Sequence, residues 1–233
     1  MKFLQKFTER DILWYDIETV RATDKLEDGP LKEAWLYKSR HQNEILKKTG
    51  EPVTPEEYYH EKAALYKPFA RIACIVTGYI KDDVLRTKAY TGEESELLVE
   101  FNSDLRIIKN SRKDLVLGGF NIVKFDNPFV AARMFTNGIA PHDLLDTAHL
   151  KPWEVEAVDL AELYRGTSFY PDSLSAVCAS FGIPNPKASM EGSEVSDIFY
   201  KGGIDKIVEY CTQDVLAVAN IYRKFLRKPF VTL

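Results

Sequence analysis

From Ile12 to Ile17 the chain reads Ile-Leu-Trp-Tyr-Asp-Ile, apolar at both parities. That pattern predicts a strand covered on both faces, near the centre of a sheet. Arg71 to Ile80 predicts a second strand, and Lys81-Asp82-Asp83 turns the chain into a third, Val84 to Tyr90, as an antiparallel hairpin. Leu97, Leu98, Phe101, Leu105 and Ile108 then recur at helical spacing. Leu115 to Phe120 predicts a fourth strand, returned parallel to the first by the helical crossover. The following helix carries Pro128 in its first turn and Gly138 past its end. A weak strand is expected around Leu144-Leu145, with short helices near Asp159–Tyr164 and Ser173–Phe181. The closing helix, about Ile204 to Arg227, sets Ile204, Ile207, Val208, Cys211, Val215, Val218 and Tyr222 on its packed side. The fold class is therefore α/β: a mixed five-stranded sheet, a three-strand antiparallel meander plus parallel strands, flanked by helices.

Residues 24–66 differ in kind, being charged, helix-prone and interrupted by Gly50, Pro52 and Pro55. They read as a helical insertion on the rim of one domain spanning residues 1–233. Trp35, Tyr37, Tyr58 and Tyr59 alternate there with Lys32, Lys38 and Arg40. They are expected to pack against the domain, the alternatives being a single-strand path or an oligomer contact. Length and composition change this picture little. With 233 residues, 45% hydrophobic and 28% charged, the chain has the balance of a globular protein. No apolar run approaches the roughly 20 residues that cross a bilayer, and charges at Glu9, Arg10 and Asp11 argue against a secretion signal. Cys74, Cys178 and Cys211 are too few and scattered for a disulfide framework or a zinc site. No membrane association and a cytoplasmic location are the expectation. A net charge of −4 neither favours nor excludes nucleic acid.

The candidate chemistry lies in three distant stretches. Asp16 and Glu18 share a parity and so a face of the first strand. Asp126 opens the helix after the fourth strand, and Tyr210 and Asp214, four apart, share a face of the last helix. Carboxylates gathered on the buried side of a fold repel one another unless a cation sits among them, so the pattern asks for a divalent metal. Each has a plainer reading alone: strand-end polar residues for Asp16 and Glu18, a dipole partner for Asp126, packing for Tyr210. Phe120 and Phe125 read first as core, with a wedge against a terminal base as the alternative. Lys124, Arg133 and Lys187 are candidate phosphate contacts, and His142 and His149 are taken as structural.

Asp-x-Glu-Thr on a first strand, Asn-x-x-x-Phe-Asp from Asn121 to Asp126, and Tyr-x-x-x-Asp on a late helix resemble the DEDD superfamily of 3′–5′ exonucleases. Tyrosine in the third motif is similar to the DEDDy branch. Ser173-Leu174, Phe181-Gly182-Ile183-Pro184, Gly192-Ser193-Glu194-Val195 and Tyr210-Cys211-x-x-Asp214-Val215 resemble stand-alone exonucleases related to the proofreading domain of family-B DNA polymerases. The resemblance implies a ribonuclease H-like fold and a two-metal phosphodiester hydrolase using Mg²⁺ or Mn²⁺. It implies Asp16 bridging both ions, Glu18 and Asp214 completing the first site, and Asp126 holding the second. Tyr210 would orient the attacking water, and Glu18 would also meet the terminal 3′-hydroxyl. Thr19, Asn121, Lys124 and Phe125 are the expected substrate contacts. The implied activity removes nucleoside 5′-monophosphates from 3′ ends of single-stranded nucleic acid, DNA in preference to RNA. A 3′–5′ exoribonuclease and a catalytically silent nucleic-acid-binding module are the rival readings.

Overall fold

The computed structural model describes residues 6–46, 53–151, 154–184, 190 and 192–233. Its sheet has five strands: β1 (Ile12–Arg21), β2 (Ala70–Lys81), β3 (Val84–Tyr90), β4 (Val116–Gly119) and β5 (Ala157–Asp159). Their order is β3-β2-β1-β4-β5. β1, β2 and β3 form the antiparallel meander, and β4 and β5 run parallel to β1. This is the mixed sheet that the hydrophobic pattern predicts. β1 is buried on both faces because each parity meets its own core. Ile12 and Trp14 belong to a cluster with Cys211, Val215, Val218 and Tyr222. Leu13, Tyr15 and Ile17 belong to another with Leu97, Phe101, Phe129 and Met134. Burying such side chains contributes roughly 1.5–3 kcal/mol each before conformational entropy is counted.

The helices are α1 (Pro30–Leu46), α2 (Pro55–Lys62), α3 (Glu94–Ser111), α4 (Asp126–Thr136), α5 (Leu160–Arg165), α6 (Leu174–Phe181), α7 (Val195–Tyr200) and α8 (Ile204–Phe225). α8 covers one face of the sheet, and α3 and α4 cover the other. Two expectations need correction. The stretch around Leu144-Leu145 is a turn, not a strand. The Leu144 amide donates to His142 Nδ1 and the Leu145 amide to the His142 carbonyl. Leu145 is buried as a packing residue of that turn, which is why it mimics a strand in the sequence. The fifth strand lies later, at Ala157–Asp159, and three residues are too few to show a period.

The second correction concerns β1. It does not end at Glu18 but continues to Arg21, paired with β2, with a register shift between Glu18 and Thr19. β4 pairs with β1 at Ile12, Leu13 and Trp14 and no further along it. Beyond Trp14 the β4 side of β1 is therefore open, and Asp16 and Glu18 stand where the parallel strands stop. Crevices outside the carboxyl ends of parallel strands are where open α/β sheets bind ligands.

Within 24–66, α1 and α2 bury an aromatic knot. Trp35 stacks on Tyr58 and meets Tyr59 and Phe69 edge-on, with ring centroids 5.1, 5.3 and 4.9 Å away. Its indole N–H donates to the Pro55 carbonyl at 2.8 Å. Tyr37 alone of the four insertion aromatics is largely exposed. Gly50 and Pro52 lie outside the described residues.

Candidate active site

The turn from β4 into α4 aims Asp126. A Cβ on Gly118 would come within 2.6 Å of the Trp14 ring, so only glycine lets β4 lie this close to β1. Asn121 follows with φ of 64°, the left-handed region. Asp159, at the end of β5, clamps the turn. Its Oδ1 accepts from the Asn121 amide at 2.9 Å and its Oδ2 from the Val123 amide at 3.1 Å. Asp159 also caps α5 by accepting from Ala161. The chain then enters α4 at Asp126, whose Oδ1 accepts from the Ile17 amide at 3.2 Å. That bond seats Asp126 beside β1, midway between Asp16 and Glu18 in sequence.

The third contribution comes from α8. Its buried stripe sets Cys211 against β1, where the thiol donates to Asp16 Oδ2 at 3.2 Å. Tyr210 and Asp214, on the adjoining face, are both buried. Asp16, Tyr210 and Asp214 share one groove of about 500 Å³ with Asn121 and Lys124. Ligand atoms of Asp16, Glu18 and Cys211 all lie within 4.8 Å of one another. The structure thus brings together all four carboxylates and the phenol from three distant stretches.

Their electrostatics follow from that crowding. Burial pushes the Asp16 carboxyl well above the ordinary carboxylate range. Asp126, Asp214 and Glu18 push it further, against the thiol hydrogen bond of Cys211. Asp126 is pushed up to about 7, chiefly by burial; its own amide and that of Ile17 pull it down, and Asp159 and Asp214 push it up. Burial, then Asp214, Glu18 and Asp16, raise the Tyr210 phenol, so it stays protonated at any working pH. Acids held this way would rather be neutral, or share a cation.

The remaining predicted contacts are less uniform. Asn121 and Lys124 line the groove. Lys124 reaches Glu162 Oε1 at 3.0 Å. Phe125 precedes α4 and tilts against Phe129, with centroids 5.3 Å apart, which makes it a packing residue here. Phe120 is part of the groove wall as well as of the core. Thr19 is buried, and its hydroxyl donates to the Ala64 carbonyl at 2.8 Å, tying β1 to the insertion. Arg133 is not a phosphate contact. Its Nε and Nη2 donate to Glu94 at 2.8 and 2.6 Å. Its helix, α4, faces the α3 side of the sheet. Lys187 lies outside the described residues. Two neighbours escape the motif search. Asp159 reads in sequence only as a helix start, and Cys211 only as packing, although it directly follows Tyr210.

A family model described as a predicted 3′–5′ exonuclease related to the exonuclease domain of PolB matches residues 61–231. The match includes Asp126, Tyr210 and Asp214 and begins after Asp16 and Glu18. No curated protein sequence matches the chain. Among solved structures, the family B DNA polymerase from the hyperthermophilic archaeon Pyrobaculum calidifontis aligns with a TM-score of 0.56 at 15% identity. The alignment covers 92% of this chain and 24% of the polymerase, so the chain spans about a quarter of that protein's length. At this identity the likeness shows the fold, which is ribonuclease H-like. With the fold shared along nearly its whole length and the family matched over most of it, the chain belongs to the predicted 3′–5′ exonucleases related to the exonuclease domain of PolB.

Proposed function

We propose that the chain is a divalent-metal-dependent 3′–5′ exonuclease that removes nucleoside 5′-monophosphates from single-stranded ends, DNA in preference to RNA. One observation carries the reading: carboxylates from β1, α4 and α8 converge at the end of the parallel strands, where burial and neighbouring acids oppose the ionisation of Asp16 and Asp126. The donor set fits hard cations. Asp16, Glu18, Asp126 and Asp214 offer oxygen, the ligand that Mg²⁺ and Mn²⁺ take, and the Cys211 thiol stays protonated as a donor to Asp16. Bound as a pair, such ions activate water and offset charge on the attacking and leaving oxygens of an in-line displacement.

The chain's own residues would do the rest. Asp16 and Glu18 would hold the ions from β1, Asp214 from α8 and Asp126 from the start of α4. The protonated Tyr210 hydroxyl orients a water molecule without removing its proton. Lys124 and Asn121 meet the substrate backbone along the groove wall.

The test is hydrolysis of 5′-labelled DNA and RNA oligonucleotides of matched sequence with Mg²⁺ or Mn²⁺, read at nucleotide resolution. Stepwise shortening from the 3′ end with release of 5′-monophosphates is expected, faster on DNA. Faster hydrolysis of RNA would reassign the substrate. No shortening in either metal would remove the nuclease reading altogether.

A further inference from the structure

The loop between α5 and α6 carries two adjacent aromatic side chains that nothing in the fold buries. Phe169 is 90% exposed and Tyr170 is 79% exposed. Their rings meet edge to face, with centroids 5.8 Å apart and planes at 84°. Exposing two large rings side by side forgoes burial that most surfaces would take. The loop is also held at both ends. Gly166, with φ of 56°, ends α5, and Ser173 caps α6 by accepting from the Ala176 amide at 3.2 Å. The residues directly after the pair, Pro171 to Leu174, line the same groove as Asp16, Tyr210 and Asp214. The aromatic pair therefore directly precedes the segment that lines the acidic site.

The groove wall adds hydrogen-bond donors. Lys124 and Arg165 both line this groove and both turn to one carboxylate, Glu162, at 3.0 and 3.9 Å. With Asp172, which also lines the groove, that wall carries two cations against two acids, and Lys124 and Arg165 offer N–H donors opposite the acids of β1 and α8. A ligand suited to the whole surface has phosphates to meet the wall and flat apolar faces to meet the rings. Single-stranded nucleic acid has both, whereas a duplex hides its base faces in the stack.

We propose that Phe169 and Tyr170 form a stacking platform for unpaired bases of the substrate strand, so that this loop selects single-stranded ends. This rests on the exonuclease reading of the adjoining acids. The edge-to-face arrangement leaves ring faces open, so the platform takes any base and confers strandedness, not sequence. The sugar is not read by stacking, so DNA and RNA single strands should both depend on it.

The experiment measures binding of fluorescent single-stranded DNA, single-stranded RNA and blunt duplex by anisotropy in EDTA, together with DNA hydrolysis in Mn²⁺. It compares wild type, the double variant Phe169→Ala/Tyr170→Ala and the conservative double variant Phe169→Tyr/Tyr170→Phe. Stacking on two rings predicts that the alanine variant loses about 10-fold or more in single-strand affinity. The conservative variant should keep it, and duplex binding should not change. Circular dichroism and melting temperature establish that the variants fold. Equal single-strand affinity in the folded alanine variant overturns the platform while leaving the exonuclease reading intact. If wild type neither binds nor shortens any oligonucleotide, both readings fall. A loss shared equally by duplex and single strand also overturns the proposal, because it would mean general contact, not base stacking.

Discussion

Two carboxylate sites in this fold obey opposite rules. Glu94, in the first turn of α3, receives Arg133 through two N–H groups, Asn137 at 3.2 Å and the Ile72 amide at 2.7 Å. Its charge is answered within the fold, and it joins α3, α4 and β2. Asp16, which lines the groove, and Asp126, beside it at the start of α4, take hydrogen bonds from the Cys211 thiol and the Ile17 amide, and burial and neighbouring acids push both carboxyls upward. Removing one partner of a satisfied buried pair damages the fold, whereas removing one member of a repelling cluster relieves it. A bound cation would answer such repulsion, so the contrast separates a structural ion pair from the proposed metal site.

The largest effect expected on activity is from Asp16→Ala or Asp214→Ala. Either should cut single-strand hydrolysis on the order of 10³-fold, beyond the roughly 10–100-fold typical of losing an outer partner of a metal site. In EDTA the melting temperature should stay level or rise. Near wild-type rates in Mn²⁺ would break the comparison at once. Glu94→Ala is the mirror experiment. It leaves the largely buried Arg133 guanidinium with the Lys67 carbonyl but without its carboxylate, so stability in urea titrations should fall by about 3–5 kcal/mol. Hydrolysis per folded molecule should be retained, and a loss of rate without a loss of stability would erase the distinction.

Tyr210→Phe comes next. Removing a hydroxyl that positions water, with the ring still packed on α8, should lower kcat on the order of 10²-fold with unchanged Mn²⁺ affinity. An unaltered rate would make the phenol a packing group. The smallest effect is in the pH dependence of metal-free stability. The folded-state pKa of Asp126 is about 7, and that of Asp16 is also raised, both above the unfolded value near 4. The native state therefore holds more protons than the unfolded chain between those limits. Stability contributed by these groups is full below about pH 4 and is lost as pH rises toward and through 7. In EDTA the melting temperature should decline from pH 5.5 to 8, and saturating Mn²⁺ should flatten or reverse the trend. A flat profile in EDTA would mean that the acids do not repel.

Much of this site is legible in the chain because its members sit on regular elements. Parity places Asp16 and Glu18 together, and four-residue spacing places Tyr210 with Asp214, so periodicity alone predicts who shares a face. What the pattern misses depends on irregular backbone. The β1–β2 register shift and the early stop of β4 decide that Asp16 and Glu18 stand inside a strand, not at its end. Asp159 matters through two amides of a turn around a left-handed Asn121, and such a clamp has no period. β5 is too short to announce itself, and Leu145 looks like a strand because burial in a turn and burial in a strand select the same side chain. Arg133 misleads for a related reason. A lone arginine near an acidic motif looks like a phosphate ligand, but its partner Glu94 lies 39 residues away in sequence. Long-range ion pairs leave no local trace.

The central claim is that the repelling acids are a metal centre. Calorimetric titration of Mn²⁺ into chelator-treated protein, wild type beside Asp16→Asn, tests it without reference to any substrate. Saturable binding in wild type that is lost or greatly weakened in the variant is the predicted result. Equal binding by both proteins, or none by wild type, would contradict the account.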